Sequence, residues 1–211
     1  MKEQLSTPEL AAVQIEADDE DLTRSDVILK GALAAGAVYG ALAIGPYVRR
    51  ALAASGGGDV GILNFALTLE YLEAKFYEEA KGRVRAKGEL MSLIDLLAKD
   101  EQQHVEALAA TVKQLGGKPV MEPKFQFDYS GTSGFLKLAQ TLEDTGVSAY
   151  NGAGPAIKSK EVLAAAGGIV QVEARHAAAI RLQNGAEPSP EAFDPPLDEK
   201  QVLKAVEPFL A

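Results

Sequence analysis

Between residues 59 and 184, apolar side chains return every three or four positions in four long runs separated by Gly- and Pro-bearing breaks. That period marks helices with one buried face. The first run spans roughly Asp59 to Lys81 and the second roughly Glu89 to Leu115, with a short polar turn from Gly82 to Gly88 between them. Gly116-Gly117 supplies a stop for the second run. The third runs from about Ser133 to Ile157, despite Gly152, Gly154 and Pro155 near its end. Ser159 is placed to cap the fourth, which reaches Asn184-Gly185. The pattern predicts an all-α four-helix bundle over residues 59–185.

The connections predict how the helices are joined. The first and last pairs have short turns and should form hairpins. Between the second and third lies GGKPVMEPKFQFDYSGT, residues 116–132, too polar and too rich in Pro and Gly for a helix. A bundle helix of about 26 residues is about 39 Å long, and this segment extended reaches about 56 Å. It can cross the full length of the bundle, so two hairpins joined by a long crossover are expected. Residues 186–211 form a tail with Pro188, Pro190, Pro195 and Pro196, then a short helix near Asp198 to Val206.

The pattern changes before residue 59. Residues 1–26 are polar and acidic, with Glu16, Asp18, Asp19, Glu20, Asp21 and Asp26, and are expected to be largely disordered. Residues 27–48 turn apolar, VILKGALAAGAVYGALAIGPYV, and Arg49-Arg50 close the run. Three readings of an apolar helix over 27–50 compete. It is an export signal with Ala51-Leu52-Ala53 as a cleavage site, an uncleaved anchor, or a helix that packs on a partner chain through the Gly36 and Gly40 spacing. Thr23 to Lys30 resembles a twin-arginine export motif lacking one arginine. The apolar length favours export or membrane association at the cell envelope over a cytoplasmic location, although the acidic lead is atypical of a signal. Residues 51–58, ending in Ser-Gly-Gly-Gly, read as a linker.

Composition narrows the chemistry. The net charge is -9, which argues against nucleic acid as a partner, since that binding needs clustered Lys and Arg. Cysteine is absent, which excludes disulfides, thiolate zinc sites, iron–sulfur clusters and a cysteine nucleophile. The chain has 2 histidines, so their positions carry weight.

Both fall in one pattern: Glu101-x-x-His104 and Glu173-x-x-His176. Residues three apart share a helix face, so each Glu and His can reach one metal ion from one side. Glu101 lies on the stripe of Ile94, Leu97, Ala98, Val105 and Leu108, and Glu173 on that of Ala166, Ile169, Val170, Ala177 and Ile180. The first helix sets Glu70 among Leu63, Ala66, Leu67, Ala74 and Tyr77. The third sets Glu143 among Leu136, Ala139, Val147 and Tyr150. Carboxylates on apolar stripes need a partner or a metal, because a bare buried charge is too costly. The halves also repeat: Thr68-Leu69-Glu70 returns as Thr141-Leu142-Glu143, and Tyr77 as Tyr150. Tyr77 and Tyr150 can hydrogen-bond ligands or carry an electron, although core packing is the plainer role. Glu73, one turn from Glu70, can support the ligands from behind, but a solvated or salt-bridged carboxylate is the plainer expectation. Arg175 is expected on the surface.

The segments ALTLEYLEAKFYEEA, KDEQQHVEAL, FLKLAQTLEDTGVSAYNGA and VEARHAAAIRL resemble the ferritin-like di-iron and di-manganese superfamily. With the loop KPVMEPKFQFDY they resemble its desiccation-related branch in particular. The resemblance implies two iron or manganese ions, with Glu70 and His104 terminal on one, Glu143 and His176 on the other, and Glu101 and Glu173 bridging. The resemblance fixes the site better than the reaction. Two close metals can bind dioxygen or peroxide between them, which favours oxidase, peroxidase or catalase chemistry in oxidative or desiccation stress, and a homo-oligomer is one assembly open to the chain. The alternatives are a metal-stabilised structural or interaction protein of the envelope, and iron storage. The lack of Cys removes a rubredoxin-type electron relay. The apolar residues 27–48 are unlike a storage cage. Met91 and Met121 are read as packing residues rather than haem ligands.

Overall fold

The computed structural model describes residues 57–211. The acidic lead, the apolar segment over 27–50 and the linker up to residue 56 lie outside the described residues. Four long helices follow: α1 Asp59–Arg83, α2 Glu89–Gln114, α3 Gly131–Ala153 and α4 Lys160–Gln183, with a short α5 Glu199–Val206 in the tail. α1 packs along α2 and α3 along α4, and the two hairpins meet through α1 against α3 and α2 against α4. Among the described residues no helix is long and apolar enough to cross a membrane.

Local chemistry sets the helix ends. After α2 the N–H of Gly116 donates to the carbonyl of Lys113 and that of Gly117 to Val112, both at 2.9 Å. This paired closure needs a residue with positive φ, which Gly116 supplies at 75°. At the start of α4 the N–H of Val162 donates to Ser159 Oγ, as the Ser cap requires. The Asp59 carboxylate at the head of α1 accepts from the N–H groups of Lys158 and Ser159, both at 2.8 Å, and ties the hairpins together at that end.

α3 is shorter than its apolar pattern suggests. It ends at Ala153 and passes into a 3-10 turn over Gly154–Ala156. Pro155 has no N–H to give, and its ring crowds the carbonyl four residues back. Tail backbone also runs over this end of the helix. The N–H of Leu197 donates to the carbonyl of Ser148 at 3.0 Å. A Cβ on Gly152 would lie 1.9 Å from the Leu197 carbonyl oxygen. In α1 the helix persists through Gly82 to Arg83, whose guanidinium donates to the Phe127 carbonyl and sits over the Tyr129 ring.

The crossover from α2 to α3 has no helix of its own, yet it is pinned along its length. Asn64 on α1 donates to the carbonyl of Lys118 and accepts from the N–H of Val120. Further on, Phe125 forms an antiparallel bridge with Leu210 of the tail, and Gln126 and Ala211 extend the pairing. Phe76, Phe127, Tyr129 and Phe135 interlock beneath it at ring separations of 5.1 to 5.8 Å.

Two apolar clusters make the core. One, around Phe76, Ile94, Leu97, Phe135, Leu142 and Ile180, fills the end where α1 turns into α2. The other, around Leu63, Leu67, Val105, Leu108, Val112 and Val162, fills the opposite end. Each large apolar side chain so buried stabilises the fold by about 1.5–3 kcal/mol. Between them lies a layer of buried charge.

Candidate metal centre

One turn from each long helix supplies that layer. Glu70 comes from α1, Glu101 and His104 from α2, Glu143 from α3, and Glu173 and His176 from α4. The structure therefore brings together the six residues singled out by spacing. All four carboxylates are 0% exposed, and the histidines are buried beside them. Their donor atoms fall into two overlapping sets. Glu70, Glu101, His104 and Glu173 each offer an atom within 4.8 Å of the others, and so do Glu101, Glu143, Glu173 and His176. Glu101 and Glu173 belong to both.

Glu101 is turned so that its oxygens separate. Oε2 lies 3.2 Å from Nδ1 of His104, and Oε1 lies 2.8 Å from Nδ1 of His176. Glu173 Oε1 approaches His104 Nδ1 at 2.9 Å. Several of these contacts are close without being hydrogen bonds. Glu101 Oε1, Glu143 Oε2, both Glu173 oxygens and His176 Nδ1 are buried with no hydrogen-bond partner. Buried polar atoms nearly always find one. Donor atoms that converge without bonding each other are arranged for a cation, so the residues fit a metal centre.

The electrostatics agree. Burial drives Glu101 from 4.5 to about 8, against the His104 hydrogen bond and helped by the charge of Glu70. Burial, with the charges of Glu101 and Glu70, also takes Glu173 to about 8. Glu143 is pushed well up by burial and by Glu101 and Glu173. For His104, burial acts downward, but the close carboxylates of Glu101, Glu173 and Glu70 prevail and lift it from 6.5 to about 12. The unmetallated layer thus relieves its charge by taking up protons, as close carboxylates must.

A family model for the ferritin-like domain matches residues 58–186. The chain belongs to the ferritin-like domain family. No curated protein matches it. The ferritin-like domain covers all four long helices and the crossover, and it contains both overlapping donor sets.

Around the donor sets, this ferritin-like domain shows three arrangements that spacing alone did not settle. First, the tyrosines reach across the hairpins. Tyr77 of α1 donates to Glu143 Oε1 of α3, and Tyr150 of α3 donates to Glu70 Oε1 of α1. They do more than pack: each occupies the outer oxygen of a carboxylate and leaves the inner one facing the layer. Burial and the adjacent carboxylate charge raise both phenol pKa values, which keeps the proton on the tyrosine. Second, Asp100 Oδ2 lies 3.3 Å from Nε2 of His176. Asp100 precedes Glu101 and so points off the apolar stripe, which hides it from a face-by-face reading. The matching place before Glu173 holds Val172, which cannot accept a proton. Third, Glu73 is buried, 3% exposed, inside the ferritin-like domain. The expectation of a solvated or salt-bridged Glu73 is corrected: α3 presents Gly146 opposite it, leaving room inward. Arg175 is exposed as expected, and Met121 is 75% exposed in its loop.

Proposed function

We propose that the ferritin-like domain holds two iron or manganese ions and uses them in oxidase, peroxidase or catalase-type chemistry. Glu70 and His104 would be terminal on one ion, Glu143 and His176 on the other, with Glu101 and Glu173 bridging. The observation that carries this is the pair of overlapping donor sets sharing two carboxylates, with buried atoms that have no partner. Carboxylate and imidazole donors suit iron and manganese alike.

Two metal ions held side by side would supply two electron equivalents to dioxygen or peroxide. The protein supplies shape and protons. Tyr77 and Tyr150 each hold one carboxylate oxygen and aim the other inward. Glu101 spreads its two oxygens toward the two histidines. The apolar clusters on either side keep bulk water from the layer. Full burial of the four carboxylates favours a co-substrate as small as dioxygen or peroxide.

The sequence resemblance supports the desiccation-related branch and a role in oxidative or desiccation stress. Residues 27–48 support export or anchoring at the envelope. The charge repulsion of the unmetallated layer favours a second contribution: metal also stabilises the bundle. Metal analysis of the purified protein, with peroxide and dioxygen consumption assays on the iron- and manganese-loaded forms, tests the proposal. Two ions per chain and turnover with either metal are expected. A protein that takes up neither metal would overturn the site. Full loading without turnover would leave only the structural contribution.

A further inference from the structure

The two tyrosine hydrogen bonds fix the register of α1 against α3. Tyr150 meets Glu70 at one level, and Tyr77 meets Glu143 two turns along. The helices are antiparallel and the halves repeat, so an approximate twofold axis crosses midway between these levels. The residues at that midpoint are Glu73 and Gly146. They are also counterparts in the repeat, each one turn after its helix's Glu.

Two counterparts on a twofold axis point at each other, and two long side chains would collide there. This chain keeps one. A Cβ on Gly146 would lie 3.0 Å from Glu73 Oε1 and 3.5 Å from Glu173 Oε2. The Glu73 carboxylate therefore fills the space that Gly146 leaves, beside a carboxylate common to both donor sets. It is 3% exposed, and no Lys, Arg or His among the described residues forms an ion pair with it. The charges of Glu173, Glu101, Glu143 and Glu70 all act on it, as its central place requires. A buried carboxylate surrounded by carboxylates must either take up a proton or be accompanied by a cation, and this one stands beside a layer of donor atoms that converge without bonding each other.

We infer that Glu73 is a fifth carboxylate of the metal centre, set near its pseudo-twofold axis beside Glu173 and outside the two overlapping donor sets. The inference rests on the proposed two-metal reading. Four carboxylates neutralise two divalent ions, and a fifth adds one negative charge. That excess strengthens binding and favours a more highly charged metal pair.

Calorimetric titration of the full chain with Mn(II), together with thermal melts of the metal-free protein, tests this. The variants are Glu73→Gln and Gly146→Ala. Glu73→Gln keeps the shape and removes the charge. It should weaken Mn(II) binding about tenfold or more, the scale on which groups around a metal act, and raise the melting temperature of the metal-free protein. Gly146→Ala keeps the charge but crowds Glu73, and should also weaken binding. If both variants bind Mn(II) as the wild type does, or if Glu73→Gln lowers the metal-free melting temperature, Glu73 is a packing residue and the inference fails. If the wild type binds no Mn(II) and no Fe(II), the two-metal reading itself has failed.

Discussion

Tyr150 of α3 donates a hydrogen bond of 2.5 Å to Glu70 Oε1 of α1, and Tyr77 of α1 returns it to Glu143 of α3. Each hairpin thus holds a carboxylate of the other. Tyr77→Phe and Tyr150→Phe should each leave a buried oxygen without a donor, which costs about 1–3 kcal/mol. Urea denaturation of the metal-free variants measures this. Variants as stable as wild type would show that the hydroxyls do not hold the carboxylates.

The pH dependence of the metal-free protein follows from the raised pKa values. Glu101 and Glu173 rise from 4.5 to about 8 on folding, so the protonated carboxyl favours the fold. Their contribution is complete below the unfolded value and is lost as pH rises through about 8. His104, raised from 6.5 to about 12, acts in the same direction over a higher window. The metal-free protein should therefore melt at a higher temperature near about pH 6 than near about pH 8.5. Metal binding opposes this trend, because protons compete for the ligands. The rise in melting temperature on adding metal should be larger at the higher pH. Scans at both values, with and without Mn(II), check both signs.

The overlap of the donor sets separates two kinds of variant. His104 belongs to one set and His176 to the other, whereas Glu101 and Glu173 belong to both. His104→Ala and His176→Ala should each weaken one metal position and spare the other. Glu101→Ala and Glu173→Ala should damage both. Titration with Mn(II) distinguishes one lost position from two. A bridging-position variant that keeps two metals would count against the shared role.

Asp100 breaks the symmetry of the centre. It lies 3.3 Å from His176 Nε2, and Val172 stands in its counterpart's place. A carboxylate behind a ligating imidazole orients the ring and raises its basicity, and losing it typically costs 10–100-fold in affinity. Asp100→Ala should reduce affinity by roughly that factor at the His176 position alone. Asp100→Asn, which keeps an acceptor without the charge, should restore part of it. An equal loss at both positions would point to general disturbance of the helix.

The four helices were legible because their apolar period is sustained, and their ends carry Gly116 and Gly185 as stops and Ser159 as a start. The six clustered side chains were legible because two Glu-x-x-His spacings use both histidines and Glu70 repeats as Glu143. What escaped depended on the neighbour rather than the local face. Glu73 reads like any helical Glu until Gly146 is found opposite it. The tyrosine pairing depends on the α1–α3 register, which no single helix encodes. Asp100 acts only because the α2–α4 crossing brings His176 to it. The pairing of Phe125 with Leu210 joins two segments whose Pro and Gly content reads as loop.

The two hydrophobic clusters with charge between them also bear on how the bundle breathes. Helices in most bundles fray from their ends, where contacts are few, and hold longest at the middle. Here the apolar grip lies toward both ends, and the waist is held by carboxylates that repel. Without metal, the easiest local opening should start at that waist. Amide hydrogens near Glu70, Glu143 and Glu173 should then exchange with solvent sooner than those near Phe76 or Leu108. Metal would reverse the order, making the slowest-exchanging amides those nearest the charges.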